Sequence, residues 1–269
     1  LNLENGIPSH DTLSNVFVCI DSKKFMEIFI TWIKEITKEK GMHISIDGKA
    51  IKSAKDNPYI VSAFLSDIGI SLAQVKVADK SNEITAIPEL LELIDIKNKI
   101  ITIDAIGTQE NICNQIVSKK GNFILKAKDN QKDLCDDIKT YFNLGLKKDS
   151  SDIAIAETNF EKDHGRIDVY RDENGVITNT SHYYILSKQF DWDTFINATR
   201  NHWNIECSLH WRLDVIIDED HSKNKVGQSI ENLATVRKIV FNLVKLDNSM
   251  GNKLTMKQKM TRYISDFKN

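Results

Sequence analysis

The chain has 269 residues, 41% apolar and 28% charged, with a formal net charge of -2, a size that suits one large domain with an insertion or small appendages. Near-neutral charge argues against a simple cationic coat for nucleic acid, while leaving room for an enzyme whose acidic site offsets basic patches. Cys19, Cys113, Cys135 and Cys207 form no C-x-x-C pair and no apolar run approaches the roughly 20 residues of a bilayer span, so a disulfide framework and a membrane partner are not expected and a cytoplasmic location is.

From Thr12 to Glu39 apolar residues recur at helical spacing (Phe17, Phe25, Phe29, Trp32, Ile33, Ile36), and Gly41 stops the predicted helix. His43 to Ile51 then alternates apolar and polar residues, as a half-buried strand does. Tyr59–Leu65 and Ser71–Val77 predict two more strands around the turn Ser66-Asp67-Ile68-Gly69, giving an antiparallel meander. A helix follows through Ile84, Ile87, Leu90, Leu91 and Ile94, with Pro88 a complication unless it lies in the first turn.

Lys99 to Ala105 predicts a buried β-branched strand. A helix capped by Thr108 comes next and ends at Gly121, before a strand at Asn122–Lys128 and a helix through Phe142. Three strands, helix, strand, helix, strand, helix is the order of an α/β, ribonuclease-H-like mixed sheet flanked by helices. Ser150 to Lys188 alternates weakly and carries Gly165 and Gly175, which predicts a small β insertion before the last catalytic helix. Helical period returns from Phe195 to Leu213 and again from Ser229 to Leu246, ahead of a lysine-rich tail. The expected division is an N-terminal helical segment (1–41), a catalytic core (42–149 and 189–250), the β insertion (150–188) and a basic tail (251–269).

Two aspartates stand where aspartate is disfavoured. Asp47 lies within a strand among Ile44, Ile46 and Ile51, and Asp104 ends a run of isoleucines. Burying an unpaired carboxylate costs several kcal/mol, so a divalent metal is the expected compensation. The alternatives are an Asp47-Gly48 hairpin turn and a turn-capping Asp104. Glu206 is the third candidate, because helical spacing sets it beside Trp203, His202, Leu209, His210 and Leu213 rather than on a solvated face. Its alternative is a helix edge paired to Arg200 or Arg212. His202, Cys207 and His210 do not share one helical face, so a zinc site is not expected, and the histidines are expected to pack beside the carboxylate or to touch a DNA phosphate.

The words G-I-P-S-H-D-T (from Gly6), I-D-G-K (Ile46), V-S-A-F (Val61), K-S-N-E-I-T-A-I-P-E-L-L (Lys80), T-I-D-A (Thr102) and N-Q (Asn130) stand in order. H-G-R-I (His164), Y-Y-I-L-S (Tyr183) and R-N-H-W-N-I-E-C-S-L-H-W-R-L-D-V (Arg200) follow. In these the chain resembles the H-repeat-associated, ISAs-type insertion-sequence transposases, a DDE group with a ribonuclease-H-like core. Cys207, Asn204 and Asp129 depart from that pattern, and the stretch between Arg166 and Tyr183 is short for it. The chain also begins at Leu1 without the upstream helical segment of the family, which suggests a truncated or degenerate copy.

The resemblance implies DNA strand cleavage and strand transfer, with Asp47, Asp104 and Glu206 as catalytic metal ligands for Mg2+, or Mn2+ in its place. Implied partners are double-stranded DNA, as transposon ends and target, and further copies of the chain on it, at a bacterial nucleoid. Expected DNA contacts are Lys49, Lys126, Lys128, Asn130, Gln131, His164, Arg166, Arg200, His202 and His210. A metal-dependent nuclease that cuts without joining, and a non-catalytic DNA-binding remnant, stay open as alternatives.

Overall fold

The computed structural model describes residues 6–37, 40–52, 58–77, 83–145, 153–156, 163–173, 176–222, 227–249 and 254–266. Lys80, Ser81, Asn82 and Gly175, named above, lie outside them, as does the start of the basic tail through Lys253.

The expected N-terminal helix is two: α1 (His10–Cys19) and α2 (Ser22–Ile36). The break has a local cause. The Asp21 carboxylate accepts hydrogen bonds from the backbone N–H groups of Lys23 and Lys24, starting a new helix after extended Ile20. The second helix then buries Met26, Phe29, Ile30 and Ile33.

β1 (His43–Ala50), β2 (Tyr59–Leu65) and β3 (Ile70–Val77) form the antiparallel meander. α3 (Glu83–Leu93) follows, with Pro88 beyond its first turn, and leads to β4 (Ile100–Ile103), which pairs parallel with β1. The next helix, α4 (Glu110–Ser118), is not capped by Thr108, whose hydroxyl donates instead to the Lys126 carbonyl at 2.8 Å. β5 (Asn122–Ala127) lies parallel to β4, and α5 (Lys132–Gly145) follows it.

The strands after residue 150 do not stand apart from the sheet. They are β6 (Ile153–Ala156), β7 (Asp163–Glu173) and β8 (Val176–Leu186), and β8 pairs antiparallel with β5. One eight-stranded sheet results, in the order β3-β2-β1-β4-β5-β8-β7-β6. Pairing of Ile124 with Leu186 covers what would otherwise be an open apolar edge of β5.

α6 (Trp192–Asn201) is followed by a short turn and a π-helical segment, Ile205–His210, that runs into α7 (Trp211–Val215). α8 (Ser229–Leu246) and α9 (Met256–Asp266) close the described chain.

Strand alternation assigns the two faces of the sheet. On β2, Tyr59, Val61, Ala63 and Leu65 join the core with α2, α3, α4 and α5, while Phe64 packs with Ile205, Leu209, Leu213 and Phe241 on the other side. On β1, Ile44 and Ile46 enter the first core. Ser45, Asp47 and Lys49 therefore face the C-terminal helices.

Candidate metal centre

The parallel register of β1 and β4 aligns Ile46 with Ile103, so Asp47 and Asp104 emerge next to one another from neighbouring strands. Asp47 is in mid-strand, opposite Ser62 of β2, and not in a hairpin turn. Gly48 serves a different need. A Cβ there would lie 2.1 Å from Cε1 of Tyr59, whose hydroxyl donates to the Gly48 carbonyl at 2.7 Å. Asp104 follows β4 directly and leads a 3-10 turn, Ala105–Gly107.

Both aspartates line one cleft, of about 160 Å³, together with Glu206. Single oxygens of Asp47 and Glu206 and a ring nitrogen of His210 all lie within 4.8 Å of one another. His210 Nδ1 is 3.6 Å from Asp47 Oδ2 and 3.7 Å from Glu206 Oε2. The histidine thus packs beside the carboxylates, as its spacing suggested. Helical period misplaces Glu206 in one respect. Its side chain is 51% exposed and Trp203, in the turn before the π segment, is 62% exposed, while Ile205, Leu209 and Leu213 point inward.

Burial first, and the adjacent Glu206 carboxylate second, push the Asp47 carboxyl well above the usual range. The His210 imidazole holds Glu206 below it, and burial keeps His210 itself below the ordinary histidine value. In the same cleft, Lys128 Nζ lies 3.0 Å and 3.3 Å from the two Asp104 oxygens and, against the effect of burial, holds that carboxyl low. The chemistry of this donor set fits a hard divalent cation: two close carboxylates with only a buried imidazole between them, and a third carboxylate on the same cleft.

His202 also lines the cleft. Its Nδ1 is 3.0 Å from the Thr102 hydroxyl, which His43 Nε2 approaches to 2.7 Å, and burial lowers His202 to about 4. Lys126 lines it too, its ammonium destabilised by burial and by Lys128.

Other expected DNA contacts are placed elsewhere. Lys49 is 13% exposed and ion-paired to Asp214, Glu219 and Asp220, so it has no free charge to offer a phosphate. The Asn130 amide donates to the Ala105 carbonyl at 3.0 Å and the Gln131 amide to the Thr108 carbonyl, latching the loop after β5 onto the turn after Asp104. Arg166 pairs with Asp168 at 2.9 Å beneath a contact with the Tyr183 ring. His164 lies on β7, outside the residues lining the cleft, and Arg200 is exposed at the end of α6. Of His202, Cys207 and His210, only His210 belongs to the group of side chains, among the described residues, that could hold a metal ion.

Thr102, Thr199 and Tyr184 line the cleft without having been picked out from the sequence. Thr102 carried a legible signal, since it alternates with Asp104 on one strand face. Tyr184 did not, because its place depends on β8 pairing with β5.

The fold and site define an α/β protein of ribonuclease-H-like architecture, with one aspartate inside β1 and another directly after the parallel strand β4. A family model described as the transposase DDE domain matches residues 39–243, and the chain belongs to this family. It is 34% identical to the protein YbfL of Escherichia coli (strain K12) and 33% identical to an H repeat-associated transposase of the same strain, YhhI. Each match covers 98% of this chain and 80% of the relative. The fold also matches that of the piggyBac transposase, solved as a synaptic complex with hairpin DNA, with a TM-score of 0.57 and 11% identity, over 95% of this chain and 58% of that one. No described helix is long and apolar enough to cross a membrane.

Proposed function

We propose that the chain is the catalytic unit of an insertion-sequence transposase that cleaves double-stranded DNA at element ends and joins them to a target. The observation that carries this is the meeting of Asp47, Glu206 and Asp104 on one cleft flanked by Lys126 and Lys128. Asp47, Asp104 and Glu206, with His210 beside the first and last of them, would hold Mg2+ or Mn2+. Ions at these places supply charge stabilisation for an attacking water or 3′-hydroxyl and for the leaving oxygen.

The protein's own contribution is position. Thr102 fixes the His202 ring through Nδ1, and burial keeps that ring neutral, so it adds no positive charge beside the carboxylates. Lys128 holds Asp104 in place, and its half-exposed ammonium would meet a DNA phosphate entering the cleft. Such backbone contacts position DNA without reading sequence. Pairing of two element ends requires further copies of the chain.

The test is incubation of purified protein with labelled DNA carrying the element's inverted repeats, in Mg2+ or Mn2+. The expected product is end cleavage followed by joining, lost in Asp47→Asn, Asp104→Asn and Glu206→Gln alike. Cleavage without joining indicates a nuclease, and metal-independent DNA binding without cleavage indicates a remnant; either defeats the proposal.

A further inference from the structure

Lys49 stands one pleat beyond Asp47 on the same face of β1, about 7 Å along the strand. Across from Asp47 are Glu206 and His210; across from Lys49 is Asp214, one turn beyond His210. The chain then turns through Asp218, at φ 59°, and brings Glu219 back to Lys49 at 2.9 Å, with Asp220 at 3.8 Å. This is a buried arrangement, with side chains of Lys49 13% and Glu219 3% exposed. Lys238 of α8, itself 2% exposed, shares a small cavity with Lys49, His210 and Glu219.

We propose that Lys49 is a positioning residue: its pairs with Asp214 and Glu219 hold the 205–215 segment in the register that sets Glu206 opposite Asp47. This rests on the proposed metal centre. The reason is physical. The segment carries a π turn, and an α-helical alternative with one residue fewer per turn swings Glu206 by roughly 100° about the axis. Ile205, Leu209 and Leu213 supply non-directional burial that tolerates either register. A buried ion pair adds little net stability but is directional, and specifying register is its best-attested use.

Two variants separate this role from folding: Lys49→Arg, which keeps the charge, and K49M/E219Q, which removes Lys49 and its most buried partner together and leaves Lys238 on its Gln74 hydrogen bond. Amide exchange of residues 205–215 is followed in chelator, and Mn2+ affinity is measured by electron paramagnetic resonance. In K49M/E219Q we expect a native circular dichroism spectrum, exchange of 205–215 faster by about tenfold or more, and Mn2+ binding weaker by about tenfold or more. Lys49→Arg should recover part of both. Wild-type protection of 205–215 in K49M/E219Q overturns the proposal, and so does faster exchange with unchanged Mn2+ affinity. If the unaltered protein binds no Mn2+ at all, the metal centre is refuted, and the register role of Lys49 is decided by exchange alone.

Discussion

A carboxylate oxygen of Asp47 lies within 4.8 Å of one from Glu206, although the two residues come from the first strand and a late helix. Without a bound cation, the pair is tolerable only if one member keeps a proton, and buried Asp47 is the one, raised from 3.8 to about 8. A raised folded-state value contributes stability that is full below 3.8 and is lost as pH rises toward 8. His43 and His202, lowered from 6.5 to about 4, act in the opposite sense, but only below 6.5. Lys238, lowered from 10.5 to about 8, acts above 8. Between these limits the melting temperature in chelator should therefore fall with pH, by no more than about 1.4 kcal/mol per pH unit in free energy. Thermal denaturation of Asp47→Asn should show a flatter profile; an equal slope in that variant assigns the effect elsewhere.

Glu206→Gln should leave the fold almost untouched, because the side chain is half exposed, with a stability change within about 0.5 kcal/mol. Metal-dependent cleavage should fall by at least about a hundredfold, since even outer partners of metal ligands cost 10–100-fold. Asp214→Asn removes one of the partners of Lys49 and no proposed ligand, so its cleavage rate should fall by less than about tenfold. Single-turnover cleavage assays decide between them, and the reverse ranking would falsify the assignment of Glu206.

Lys128→Ala tests the cation at Asp104. Both partners are 48% exposed, so their pair is worth at most about 1 kcal/mol. Removing Lys128 should strengthen Mn2+ binding without DNA by up to about fivefold and reduce the salt slope of DNA binding by about one. Titrations at several salt concentrations measure both. Weaker Mn2+ binding in this variant means that Lys128 supports the site rather than guarding it.

Asn242, fully buried on α8, ties the sheet edge to the helix layer. Its amide accepts from the Ser71 N–H at 2.9 Å and donates to the Ser71 carbonyl at 2.8 Å. Asn242→Ala leaves those buried groups short of a partner, at about 1–3 kcal/mol each. Urea denaturation should show the lower midpoint with an unchanged slope; a loss under about 0.5 kcal/mol would mean that water replaces the amide.

Alternation of period two in H-I-S-I-D-G-K and T-I-D-A, and the order of strands and helices around them, suffice to put Asp47 and Asp104 together. Those features are local, and they state which face a side chain occupies. They do not state what lies opposite. That Lys49 meets Asp214 and Glu219, that Lys128 meets Asp104, and that β8 extends the sheet at β5 depend on segments distant in sequence, brought together by burial. The π turn at Ile205–His210 shows the same division. Its residues read as an ordinary amphipathic helix, and only tertiary contacts, apolar to Phe64 and Phe241 and ionic between Asp214 and Lys49, set Glu206 at the cleft.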